Sequence, residues 1–312
     1  MDEIRNEFSW SKSRDALFRE CLRAYYYNHY GSWGGWRDDA PEEVRELYVM
    51  KNLSSRPAWR GIMVHEVAER AVKALLAGRR WPLERALEEA EARMRTEAQV
   101  SAEGRYRRGV WLDWGDQRVK VNGLLEHYYG EAFGEEELRQ DVNTVLACIR
   151  TLYRSPAFNR LVELGTDGIL SVEELGSFLV DDIKVWVKLD VCVRGRDKKL
   201  VIIDWKTGTS HRQDDIALQL GIYGLFGSQH WEVAPDQILG YDVNLRLATT
   251  HTHTIDSATL EKVAAYIRES AVQMRARLKD PEANLADVED FPMTTLDSRC
   301  RWCRFRRACR RG

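Results

Sequence analysis

Residues 201–208, VIIDWKTG, set three β-branched aliphatic side chains ahead of an acid, an aromatic, a lysine and a Thr-Gly turn. Val201, Ile202 and Ile203 have the length and branching of a buried strand; a short core helix shares the apolar run, and we read it as a strand. Side chains two apart on a strand project to one face, so Asp204 and Lys206 share one side of the sheet where the strand ends. A surface ion pair has the same spacing and contributes little energy. The surrounding chain has to separate the two readings.

At 312 residues and 44% hydrophobic, the chain can bury a large core as one big domain or two coupled ones. No stretch approaches the roughly 20 apolar residues of a bilayer span. The opening, MDEIRNEFSW, is too polar for a signal peptide, so a cytoplasmic protein with no membrane partner is expected. The formal net charge of −2 conceals an arginine-dense end, RCRWCRFRRACRRG, and nucleic acid stays open as a partner. Six cysteines in such a chain point to metal or redox chemistry before a disulfide framework. Three of them crowd the C-terminus.

Four segments follow from the patterning. Residues 1–80 read as helices: one over 9–30 that opens on a Ser cap and carries Cys21, one opened by Pro41, and one from about Arg56 to Ala77 that carries His65. Residues 81–165 read as a helical insertion with no convincing strand. Over 166–280 the period changes: ILSVEELGSFLV, IKVWVKLDVCVRG and KLVIIDWKTG read as an antiparallel meander. A helix from Gln213 to about Phe226, the strand ILGYDVNLRL and a helix from Ser257 to about Leu278 follow. Residues 281–312 form the cysteine- and arginine-rich end.

Asp190 closes the strand ending VKLD and Asp204 lies near the end of the next, so adjacent strands bring the two carboxylates together. Two carboxylates a few ångströms apart repel unless a cation lies between them, and hard oxygen ligands suit Mg²⁺ or Mn²⁺. Lys206 would stand beside that metal, placed to serve a water and to stabilise charge developing on a phosphate. His65 offers a nitrogen ligand, which would shift the preference toward Mn²⁺, although a lone histidine on a helix is more often simply packed or solvated.

These residues resemble the RecB-like branch of the PD-(D/E)XK nucleases, which includes the AddB nuclease domain and the CRISPR-associated iron–sulfur exonucleases. The match is ordered: G-x-x-x-H at Gly61–His65, Asp190, D-x-K at Asp204–Lys206 followed by Thr-Gly, and Q-x-x-x-Y at Gln219–Tyr223. The resemblance implies an α/β, restriction-endonuclease-like core with a mixed central sheet flanked by helices. It implies that His65, Asp190, Asp204 and the Trp205 main-chain carbonyl hold Mn²⁺ or Mg²⁺, that Lys206 serves the attacking water, and that Gln219 and Tyr223 help bind DNA. It also implies an acid on the first strand, with Glu173 and Glu174 both available and Glu173 preferred. The activity implied is that of a metal-dependent deoxyribonuclease, an exonuclease on single-stranded DNA or DNA ends, in CRISPR adaptation or in repair and recombination.

Cys300-x-x-Cys303-x5-Cys309 with a distant Cys21 resembles the arrangement by which iron–sulfur members of that family hold a [4Fe–4S] cluster. By spacing alone four thiolates serve zinc equally well. Either centre would staple the chain ends together. Cys148 and Cys192 fall inside helix and strand patterns as core thiols. The arginines at 299, 301, 304, 306, 307, 310 and 311 interleave the cysteines; Arg304, Arg306 and Arg307 are expected to contact phosphate. Tyr25, Tyr26, Tyr27, Trp33 and Trp36 offer faces for stacking bases, although aromatic clusters more often fill cores. No G-x-x-x-x-G-K-[ST] occurs in the sequence, so ATP-driven unwinding would come from a helicase partner; a CRISPR integrase is the other partner the resemblance brings. A non-catalytic DNA-end-binding subunit of a larger helicase–nuclease or integration complex is the alternative.

Overall fold

The computed structural model describes residues 5–115, 117–195, 197–209 and 213–310. The first half of the chain runs through α1 (Lys12–Glu20), α2 (Leu22–Tyr26), α3 (Glu42–Lys51), α4 (Arg56–Leu76), α5 (Leu83–Ala102), β1 (Trp111–Trp114), β2 (Gln117–Lys120), α6 (Leu125–Tyr128), α7 (Glu135–Arg154) and α8 (Pro156–Leu164). The second half adds β3 (Ile169–Val172), β4 (Leu175–Val180), β5 (Ile183–Lys188), β6 (Val191–Arg194), β7 (Leu200–Lys206), α9 (Gln213–His230), β8 (Ile238–Asn244), β9 (Thr249–Ile255), α10 (Ser257–Arg275) and α11 (Asp297–Cys300). Two compact units result: a sheet unit of Ser54–Phe178 and Val187–Ala264, and a terminal unit of the chain up to Leu53, Leu179–Trp186 and Ala265 onward.

The sheet unit holds a five-stranded sheet of order β3-β6-β7-β8-β9. β7 and β8 are parallel, while β3–β6, β6–β7 and β8–β9 are antiparallel. The fold is therefore mixed α/β, with α9 as the crossover that a parallel pair requires. β7 is paired on both edges and buried over most of its length, which is why its sequence is a continuous apolar run rather than an alternation.

Against this sheet stands α4, capped by Ser55 and opened by Pro57 in its first turn. Met63, Val64, Val67 and Ala71 recur along it at three- and four-residue spacing, are almost wholly buried, and share a core with residues of α5, α7 and Val191, Ile203 and Trp205 of the sheet. Each large side chain buried there contributes on the order of 1.5–3 kcal/mol. A polar lock supplements the core: Asp141 of α7, fully buried, accepts from Arg56 at 2.7 Å and pairs with Arg60, both on α4.

In the terminal unit, Trp10 is fully buried; its backbone pairs with Lys184 and Trp186 at 2.8 Å each, and its indole N–H donates to Ser270 at 2.9 Å. Asp15 is buried and accepts from the hydroxyls of Ser270 at 2.5 Å and Tyr266 at 2.6 Å. Tyr25 packs against Phe18 and Phe291, and Tyr27 against Phe305. This part of the aromatic cluster is core.

The structure corrects four details. The 81–165 insertion contains the β1–β2 hairpin, whose short, mostly exposed strands carry no apolar alternation to announce them. IKVWVKLDVCVRG is two strands, because the chain leaves β5 at Leu189–Asp190 and β4–β5 form their own two-stranded sheet, so the meander is interrupted. The 9–30 helix is broken at Cys21, which is extended (φ −159°, ψ 115°) between α1 and α2. β9, TTHTHTI, is an additional strand; at the sheet edge and largely exposed, it can be polar and still pair.

Candidate active site

Three sheet strands and two helices of one unit converge on the same group of side chains. Val191 pairs with Ile203 across β6–β7, so the next pair outward sets Asp190 opposite Asp204. Oδ2 of Asp190 also accepts the backbone N–H of Trp205 at 2.7 Å, which fixes this carboxylate against β7. Glu173 follows β3 directly with φ +52°, a left-handed conformation that a residue with a side chain adopts at a cost. That turn brings its Oε1 to 3.1 Å from Nδ1 of His65, while Glu174 is exposed. Asp190 Oδ1 is 3.3 Å from the same nitrogen.

Local packing explains the G-x-x-x-H spacing on α4. A Cβ at Gly61 would lie 3.3 Å from Thr207 Oγ1, tighter than ordinary contact, so glycine lets the helix approach the end of β7 and present His65 one turn later. On α9, Gln219 bridges the site: its Nε2 donates to Asp204 Oδ1 at 2.9 Å and to the Tyr223 hydroxyl at 2.8 Å, and its Oε1 accepts from Lys206 Nζ at 2.8 Å. Lys188, which lies outside the sequence motifs, pairs with Glu173 Oε2 at 2.7 Å. Its only sequence signal is its position two residues before Asp190.

Burial, and then repulsion from Asp190, push the Asp204 carboxyl up to about 7 against the pull of Lys206 and His65. Burial opposes protonation of His65, yet Asp190 and then Glu173 hold its pKa well above the ordinary value. Burial and the charges of Asp204 and Asp190 hold the Tyr223 phenol well above its usual range, so it stays neutral with its own hydrogen available to donate.

A divalent cation fits this donor set. Ligand atoms of His65, Glu173 and Asp190 lie within 4.8 Å of one another. Asp204 Oδ2 is buried with no donor at a hydrogen-bonding angle, although Lys206 Nζ is 2.5 Å away. Clustered carboxylates with one imidazole suit Mg²⁺ or Mn²⁺, and a cation among them would relieve the repulsion that raises Asp204. Trp205, whose carbonyl is the expected further ligand, is almost wholly buried beside them.

Cys21, Cys300, Cys303 and Cys309 lie in the terminal unit, and none of the six cysteines forms a disulfide. Cys21, Cys300 and Cys303 line a cavity of about 180 Å³. The Cys303 thiol is pushed up to about 11, first by burial and then by the neighbouring thiols of Cys309, Cys21 and Cys300. Its sulfur also accepts the Phe305 backbone N–H at 3.4 Å. Among the described residues the ligand atoms of His65, Glu173 and Asp190 come within 4.8 Å of one another, and those of Cys21, Cys300, Cys303 and Cys309 do not form such a group. Cys148 and Cys192 are buried in α7 and β6.

Three of the arginines donate to main-chain carbonyls: Arg299 reaches that of Glu20 at 2.8 Å and Arg304 that of Lys51 at 2.6 Å, capping the last residues of α1 and α3. Arg306 donates to the Arg301 carbonyl; Arg301, Arg307 and Arg310 are exposed, and Arg311 lies outside the described residues. Trp33 and Trp36 meet edge to face at 5.0 Å, with Trp36 exposed.

No helix among the described residues is long and apolar enough to cross a membrane. The sequence pattern of the PD-(D/E)XK nuclease superfamily matches residues 9–310. Nine solved chains match as well. One of them, titled "Crystal structure of SSO0001", has 15% identity and a TM-score of 0.30, with 59% of this chain and 77% of the other covered. No curated protein matches the chain. Since the superfamily pattern spans nearly the whole sequence and the five-stranded sheet is mixed and flanked by helices, this chain belongs to the PD-(D/E)XK nuclease superfamily.

Proposed function

We propose that the protein is a divalent-metal-dependent deoxyribonuclease acting as an exonuclease on single-stranded DNA or DNA ends, with a [4Fe–4S] cluster held by Cys21, Cys300, Cys303 and Cys309. The observation that carries the nuclease reading is the convergence of Glu173, Asp190 and Asp204 on His65 and Lys206, with Gln219 tying the lysine to the acid. His65, Asp190, Asp204 and the Trp205 carbonyl, joined by Glu173, would hold Mn²⁺ or Mg²⁺. When bound, such an ion lowers the pKa of water and offsets charge on the phosphate.

The remaining steps belong to the chain. Hydrolysis adds water across a P–O bond, with the water oxygen going to phosphorus and a proton to the departing sugar oxygen. Lys206 orients the water and stabilises charge gathering on the phosphate. Gln219 holds both Lys206 and Asp204 in place, so neither side chain has to be ordered during the reaction. Tyr223 donates its free hydrogen to the DNA backbone, and Arg304, Arg306 and Arg307 add phosphate contacts. Lys188 positions Glu173. For the cysteines, the cavity that Cys21, Cys300 and Cys303 line together supports a shared thiolate centre, and the likeness to iron–sulfur exonucleases favours the cluster over zinc. CRISPR adaptation or DNA repair, with an integrase or helicase as partner, is the context this reading assigns.

The test is cleavage of end-labelled single- and double-stranded DNA by purified protein with Mn²⁺, with Mg²⁺ and with chelator. Metal-dependent release of short products from an end is expected. DNA binding with no cleavage under any metal would favour the end-binding subunit instead.

A further inference from the structure

A second basic site lies on the sheet unit, apart from the acids. A cavity of about 560 Å³ opens between the C-terminal turns of α4, the start of α5 and the β1–β2 hairpin. Five cationic side chains line it, Arg70, Lys73, Arg80 and Arg85 among them, and no acidic side chain does among the described residues. Glu69 pairs with Lys73, and Glu89 with Arg70 and Arg85. Those pairs hold the cations in place.

Ring and cation–π contacts knit the wall together. Trp81 and Trp114 meet edge to face at 6.0 Å, and the Arg70 guanidinium lies 4.1 Å above one ring and 5.0 Å above the other. Gly115, at φ +62°, closes the hairpin against that guanidinium; a Cβ there would come within 2.8 Å of it. Both indole N–H groups are buried without an acceptor, a cost that a nearby acceptor oxygen would relieve. Pro82 caps the 20-residue helix α5 with no side chain on its first-turn N–H groups, so the positive end of that helix also faces the cavity.

We propose that this cavity binds the phosphodiester backbone of the DNA strand outside the cleavage site, an inference that rests on the nuclease reading and adds a second anchor to it. α4 sets the distance. His65 and Lys73 are eight residues apart on it, about 12 Å along the axis, the span of about three to four phosphates at the per-strand rise of B-form DNA. The anchor therefore engages only strands that extend several nucleotides beyond the scissile bond.

The experiment measures binding and cleavage of single-stranded oligonucleotides of about 4 and about 15 nucleotides by the full chain. The variants are Lys73→Gln/Arg80→Gln and, as an equal change of charge elsewhere on the unit, Arg139→Gln/Arg160→Gln. All four positions are exposed, and unchanged thermal unfolding certifies the fold. The cavity pair is expected to weaken binding of the longer strand about tenfold and to flatten the log–log salt slope by about 1.4, at roughly 0.7 per phosphate contact. Cleavage of the short oligonucleotide stays at the parent rate. A parent that cleaves DNA while the cavity pair matches the parent or the control pair overturns the anchor alone. A parent that neither binds nor cleaves DNA overturns the nuclease reading with it.

Discussion

Asp204 and Lys206 stand 2.5 Å apart on one face of β7, with side chains only 1% and 16% exposed. Solvent does not screen such a pair as it would a surface salt bridge, and Gln219 contacts both partners. The two-apart spacing thus marks an enclosed polar site.

Replacing either residue by alanine is expected to lower cleavage by about 10²–10⁴-fold, by different routes. Lys206→Ala keeps Mn²⁺ binding nearly intact in calorimetry because an ammonium is no ligand, whereas Asp204→Ala and Asp190→Ala weaken it. Parent-level cleavage by Asp204→Ala, in protein free of contaminating nuclease, would place the chemistry elsewhere.

Glu173 separates function from stability through its backbone. Glu173→Ala and Glu173→Gly remove the same carboxylate, so both should lose metal affinity and activity. The glycine variant should unfold at the higher temperature, by about 1 kcal/mol, because only it adopts φ +52° without cost. Equal stabilities would mean that the left-handed turn relaxes once the carboxylate is gone.

Protein purified without air should be brown, from charge transfer between thiolate and iron. Cys21→Ala or Cys303→Ala should bleach it and lower the unfolding temperature by about 5 °C or more, at roughly 2–4 °C per kcal/mol for a chain of this size. Cys148→Ala should keep the colour. Colourless protein with stoichiometric zinc would replace the cluster by a zinc staple.

His29 should make the terminal unit acid-sensitive. Burial, and then the charges of Arg14 and Lys51, hold its pKa well below 6.5. A folded-state pKa below the unfolded one contributes stability that is present above about pH 6.5 and is lost as pH falls, at a slope approaching about 1.4 kcal/mol per pH unit. Thermal unfolding from pH 8 to 5 should fall more steeply for the parent than for His29→Phe, which keeps a ring against Tyr25. Parallel profiles would exclude the effect.

By itself the sequence determined that strands and helices build the core together, and the order of the motifs along them. It also determined that Asp190 and Asp204 end up side by side. Those features depend on local periodicity: an apolar run long enough for a doubly buried strand, two-residue alternation that puts Asp204 and Lys206 on one face, and helical spacing that returns His65 one turn after Gly61. The tertiary structure alone decided what periodicity does not encode. Glu173 rather than Glu174 meets His65 because one left-handed residue redirects the chain after β3. Cys21 stands in a break between helices because its neighbours pack in separate turns. β9 forms from threonines and histidines because an edge needs pairing on one side only. Arg299 and Arg304 reach helix ends nearly 280 and about 250 residues away, a contact that depends on long-range folding and not on anything written beside them.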